Sequence, residues 1–256
     1  MTQSQPQVTE EAPGGEIVRF GIAELAQIGA MVGTPQIRHT LELLDLDFDV
    51  VMQKDVLASG TSTLFARDMV APISSGTGTL EGAANTVALI TSEANAWLIF
   101  AISSAEELVD SMLVVVSDHG ALMIQPRAFN RFEMGRLDDQ GDIAASLVEL
   151  VSMQLEENPG GSVSIMFDLY DGRIPREFVV GASESGDEDS FMLGDRFLTY
   201  PEHQLLSYGE IDGEQLVQRF EEALNGAIEG PLPENVNENA SDGAPRDASE
   251  PSGEEQ

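Results

Sequence analysis

Apolar residues recur at helical spacing early in the chain. Ile22, Leu25, Ala26 and Ile28 predict a short helix that ends near Gly33 and Pro35. Val56, Leu57, Leu64 and Phe65 predict another, running to about Val70. Pro72 to Gly78 breaks the period as a loop, and Leu80, Ala84, Val87 and Ala88 start a third helix that reaches about Ala94. Between the first two, Leu46, Phe48 and Val50 alternate with Asp45, Asp47 and Asp49, the pattern of a half-exposed strand.

The texture then turns to strands. Ala96–Ile102 is continuously apolar and holds the single Trp97. Ser103-x-x-Glu106 has the capping-box spacing and predicts one helical turn. Met112–Val116 and Ala121–Gln125 flank Asp118-His119-Gly120, a tight hairpin, and Arg131 to Leu137 adds a further strand.

From Asp142 the order recurs. Asp142 caps a helix with Ile143, Leu147, Leu150 and Val151 on one face, and Asn158-Pro159-Gly160-Gly161 stops it. Ser162–Tyr170 and Ile174–Val180 form a hairpin. Gly181–Ser190 is an acidic, serine-rich loop. Phe191–Tyr200 and Leu205–Ile211 are shorter strands. Asp212 and Gln215 stand at N-cap and N3 of a last helix with Leu216, Phe220, Ala223 and Leu224 on its buried side. Strands joined by hairpins imply an antiparallel sheet rather than βαβ units. The expected fold is therefore α+β, a central antiparallel sheet flanked by helices. Two similar halves, roughly 17–140 and 141–229, are expected to share one continuous sheet.

Charge narrows the function. The 256 residues carry 45 acids against 12 bases, a net charge of −33. A phosphate backbone or an anionic membrane surface would be repelled over most of such a surface. The tail, 230–256, holds seven acids and one arginine with little apolar material, and the head, 1–16, reads the same way. Both are expected to be disordered, with one folded unit over 17–229. About −24 remains on that middle part, so the folded portion is itself acidic. Salt adaptation or codon bias is one reading of that acidity; an acidic face for a basic partner is the other.

Little chemistry is visible. The chain has no Cys, which excludes disulfides, thiolate metal sites and a Cys nucleophile. Asp45-x-Asp47-x-Asp49 resembles the start of a calcium loop but lacks its glycine and its closing glutamate. Gly76-x-Gly78 is followed by Glu81, wrong for a phosphate loop. His39, His119 and His203 are dispersed, with His119 expected to be exposed in its turn. Arg127, Arg131 and Arg136 cluster beside Phe129 and Phe132. That cluster reads as internal ion pairing, or alternatively as a local docking spot. The methionines, Met112, Met123, Met134, Met153, Met166 and Met192 among them, read first as core fillers, although methionine faces also suit variable helical partners. Neither an apolar run long enough to cross a bilayer nor a leader-like start is seen, which points to the cytoplasm. No catalytic residue, metal or cofactor is expected.

Several local patterns resemble the EspG-like chaperones of type VII (ESX) secretion. Ala58–Val70 is similar to a family helix ending in Leu-x-Ala-Arg-Gly-Leu, with Asp68 where the family has glycine. A second helix and a strand with an aromatic residue, here Trp97, follow. Phe191-Met-Leu-Gly-Asp-Arg-Phe-Leu198 is similar to the family's Gly-Arg-Tyr strand, with Phe197 in place of tyrosine. The resemblance spans roughly 17–227. It implies a pseudo-twofold α+β fold and a non-enzymatic cytosolic protein that shields the tip of a helical secreted heterodimer. The alternative class is a regulatory or structural module that pairs with itself or a scaffold. The contact is expected from the second strand block, with Asp187, Glu188, Asp189 and Phe191 as partner-binding residues.

Overall fold

The computed structural model describes residues 17–72, 78–104, 107–137, 142–170, 176–183, 189–198 and 204–225. The head, the tail, Glu106, Asp187, Glu188 and His203 lie outside them.

In chain order the elements are β1 (Val18–Gly21), α1 (Ile22–Val32), α2 (Pro35–Leu43), α3 (Phe48–Val51), α4 (Lys54–Ala66), β2 (Val70–Pro72), β3 (Gly78–Leu80) and α5 (Gly82–Ser92). Then come β4 (Ala94–Ser103), β5 (Leu108–Ser117), β6 (Gly120–Arg127), β7 (Arg131–Arg136), α6 (Ile143–Glu157), β8 (Ser162–Leu169), β9 (Arg176–Ala182), β10 (Ser190–Phe197), β11 (Gln204–Asp212) and α7 (Gly213–Leu224). Nine strands form one antiparallel sheet in the order β1-β7-β6-β5-β4-β8-β9-β10-β11, and β2 pairs with β3 alone. The fold is thus α+β with helices flanking a large antiparallel sheet.

Helix followed by a four-strand meander occurs twice: α5 before β4–β7, and α6 before β8–β11. The meanders meet where β4 pairs antiparallel with β8, Leu98 opposite Phe167. The strands therefore have the twofold arrangement, but the helices do not follow it. Trp97, Leu113, Val115, Leu122 and Ile124 face a first core built with α1–α5. Their alternates Leu98, Phe100, Val114 and Ala121 face a second core built with α6, α7 and the strands β8–β10. The two helical layers lie on opposite faces of the sheet, because successive side chains of a strand point to opposite sides.

Three expectations change. Pro35 does not merely follow a helix; it opens α2 at the position where its missing N–H is no loss, with Thr34 as N-cap. The Asp45–Asp49 stretch is not a strand. The carboxylate of Asp47 accepts the N–H groups of Asp49 and Val50 at 3.0 and 3.3 Å, which caps α3, and Asp45 has a left-handed φ of 57°. Local side-chain capping outcompetes the sheet ladder there. Ser103 does not begin a helical turn. It is the last residue of β4, opposite Leu108 and Ser162. The hairpin at 118–120, the antiparallel pairing of β8 with β9, and the Asp142 and Asp212 caps are where the sequence places them, while the turn between β8 and β9 lies outside the described residues.

Candidate interaction face

Opposite helical layers leave part of the sheet bare. Among the described residues, none of β8–β11 belongs to the first core. The side of those strands that points away from α6 and α7 is therefore an open face.

Register arranges this face in rows. Ser164, Val179, Gly194 and Tyr208 lie side by side across four strands. Gly181, Met192 and Glu210 form the row on one side, and Met166, Glu177 and Arg196 the row on the other. Tyr208 is 72% exposed. A Cβ at Gly194 would stand 3.6 Å from a ring carbon of Tyr208, so the ring leans over the glycine and the centre of the face is flat. The result is an apolar patch of Met166, Val179, Met192 and Tyr208 edged by charge.

The charged edge is hydrogen-bonded. Glu177 accepts from both Ser164 and Arg196, and that bond holds the Arg196 guanidinium above its ordinary pKa. Ser183 bonds Glu210. At the border with the first half, His39 on α2 meets Asp168 on β8 at 2.9 Å. The His39 ring stands edge-on to Trp97 at 4.6 Å, and the Trp97 indole N–H donates to Thr40 Oγ1 at 2.9 Å. Tyr170, about half exposed, lies 6.1 Å from Trp97. This cluster ends the first helical layer and starts the open face.

Of the residues expected to bind a partner, Asp187 and Glu188 lie outside the described residues. The backbone carbonyl of Asp189 accepts the Gly213 N–H at 3.0 Å, beside the start of α7. Phe191 is 5% exposed and belongs to the second core, so burial corrects its expected place on the surface. Its neighbour Met192 takes the open face instead. The signal was present: Phe191, Leu193 and Asp195 alternate with Met192, Gly194 and Arg196. Reading methionine first as core filler hid it.

The arginine cluster is paired as expected at Arg127. Its Nε reaches Glu133 at 2.8 Å and its Nη1 reaches Asp110 at 3.4 Å, while Arg19 bonds Glu133 at 2.8 Å. Hydrogen bonds from Arg127 and then Arg19 lower the Glu133 pKa below the usual carboxylate value. Arg136 donates to the His119 carbonyl at 3.1 Å. His119 stands exposed in its turn as expected, and it also bonds Glu93 at 2.9 Å. Sequence reading missed the buried pair Arg176–Asp195 altogether, because only strand register brings its two residues together. Among the described residues no three His, Asp or Glu side chains gather as a metal site. No described helix is long and apolar enough to cross a membrane.

No family model matches the chain, and no curated protein matches it in sequence. A solved structure does match in fold: the Mycobacterium tuberculosis type VII secretion system chaperone EspG5, in complex with a PE25-PPE41 dimer. The match covers 82% of this chain and 96% of that one, with a TM-score of 0.53 and 9% identity. The likeness is one of fold: this chain has the architecture of a protein solved as a chaperone with its protein partner.

Proposed function

We propose that the protein is a non-enzymatic cytosolic chaperone of the type VII secretion kind. It holds the end of a helical secreted heterodimer on the open face of β8–β11 and keeps that pair soluble until export. The observation that carries this reading is a sheet face that stays apolar at its centre and uncovered among the described residues. Met166, Val179 and Met192 are half-buried there and Tyr208 is exposed, and apolar surface left together on a folded chain suits an interaction site. The fold likeness to EspG5 supplies the class of partner. Flexible methionine side chains at Met166 and Met192 suit a face that receives related helical ends.

Co-expression with a PE–PPE-type heterodimer from the same genome tests the reading. The pair is expected to stay soluble and to co-elute with this chain. Val179→Glu or Met192→Glu, each folded by circular dichroism, is expected to abolish co-elution. A pair that remains insoluble, or that binds both variants as well as the wild type, overturns the assignment.

A further inference from the structure

The end of the sheet where β6 turns into β7 carries a feature that client binding does not use. The turn residues Phe129 and Asn130 have φ of 63° and 54°, both left-handed. Such a hairpin turn favours Asn and Gly, and an aromatic residue pays a steric penalty there. Phe129 nonetheless occupies it and is 92% exposed. On either side Arg127 and Arg131 face each other across the strands, with Arg127 held by Glu133 and Asp110. Among the described residues Arg131 has no carboxylate partner, and the Arg19 side chain is 73% exposed. Leu108 and Val109, at the start of neighbouring β5, are also exposed. The tip is thus aromatic, projecting and locally cationic in a chain of net charge −33. Backbone strain and an exposed ring both oppose stability, and together they describe a surface shaped for contact.

The complement of this tip is on the same chain. The open face offers apolar Val179, Met192 and Tyr208 beside a rim made of the Glu177–Arg196 ion pair and of Glu210, which Ser183 bonds. We propose that, without a client, the β6–β7 tip of one copy seats on the open face of a second copy. Phe129 rests on the apolar patch and Arg131 lies beside the carboxylates. A second copy is the occupant because the projecting Phe129 matches the apolar patch, and Arg131 brings a cation to a rim that carries two carboxylates against the one guanidinium of Arg196. The remaining acidic surface repels other copies, so the tip is the place where attraction wins at close range. Reciprocal seating closes a twofold pair, and one-way seating would instead build chains. The free protein then shields its own docking face, and a client competes with that shield. This inference rests on the open face being a docking surface, as proposed above.

Sedimentation velocity on the full chain in about 0.15 M salt, from about 5 to about 500 µM, tests it. The wild type is expected to shift from monomer to dimer. Phe129→Asn suits the left-handed backbone, so it should fold at least as well, yet weaken association by about tenfold or more. Met192→Glu should weaken it similarly. Neither variant pairs well with itself, but an equimolar mixture keeps one intact tip and one intact face, so it should recover a one-to-one complex. A wild type that stays monomeric throughout overturns the inference, as does unchanged association in Phe129→Asn or a mixture that recovers nothing. Association through some other surface, or with an anionic vesicle rather than a second copy, does the same. Client co-elution is read separately: a client held by a strictly monomeric wild type sinks self-docking alone, and a self-docking chain that holds no client sinks the chaperone reading alone.

Discussion

Between β9 and β10 the same ion pair is made twice, once on each face of the sheet. Arg176 and Asp195 pair on the covered face, where their side chains are 7% and 2% exposed. Glu177 and Arg196, one residue along each strand, pair on the open face at 13% and 38%. The covered pair is set among Phe178, which lies 4.7 Å beneath the Arg176 guanidinium, and the aromatic trio Phe167, Phe178 and Phe220. Its neighbours are core. The open pair borders Met166 and Val179, which no described helix covers. Identical chemistry thus serves two ends. Where α7 lies over the sheet, the pair must satisfy buried charge. Where no described element lies over it, the pair keeps a charged rim around apolar surface.

The largest test of that contrast is aromatic. Phe178→Ala should cost about 3–5 kcal/mol by urea denaturation, because the trio cannot close the cavity it leaves. Val179→Ser, the next residue on the open side, should cost under about 1 kcal/mol. Equal losses would mean the open face is covered after all.

The ion pairs give the next test. Asp195→Ala strands the Arg176 charge in the core and should cost about 3 kcal/mol or more. Replacing both residues, Arg176→Met with Asp195→Leu, should recover most of that loss. Glu177→Ala on the open side should cost no more than about 1 kcal/mol. A reversed order would break the comparison.

A third test sharpens it from the first half, where the helical layer is tightly seated. A Cβ at Gly60 of α4 would stand 1.9 Å from the Ala23 carbonyl oxygen of α1. Glycine to alanine in a helix usually stabilises by nearly 1 kcal/mol. Here the sign should reverse, with Gly60→Ala costing about 1–3 kcal/mol as α1 and α4 separate.

The smallest effect is in pH. Hydrogen bonds from Arg127 and Arg19 depress the folded pKa of Glu133. Its contribution is therefore present in full above the unfolded carboxylate pKa of about 4.3, and it is lost as pH falls through the lower folded value. Glu133→Gln should be less stable than the wild type by up to about 1 kcal/mol at neutral pH. The two should converge in strong acid. A gap that widens on acidification would contradict the assignment.

Much of the framework was legible because it rests on local signals. Ala96–Ile102 reads as continuous apolar sequence since β4 sends side chains to both cores, Trp97 to the first and Leu98, Phe100 and Ile102 to the second. Gly120, with φ of 114°, marks its hairpin, and Asp142 and Asp212 mark helix starts. The segment around Asp47 was misread because alternation and capping use the same residues there, and only tertiary placement chooses between them. The open face was hidden for a different reason. Whether Met166 and Met192 fill a core or line a surface depends on which side of the sheet each helix takes. That choice is made by chain crossing after α5 and after α6, and no periodicity within a strand records it.

The central claim, that the uncovered side of β8–β11 receives the partner, is most directly tested by methyl NMR on ¹³C-methionine-labelled protein titrated with a PE–PPE-type heterodimer. Met166 and Met192 report the open face, and Met112 and Met134 report the two cores. The account predicts that the Met166 and Met192 methyl signals shift or broaden in step with binding while those of Met112 and Met134 stay in place. Binding that leaves Met166 and Met192 unmoved would contradict it.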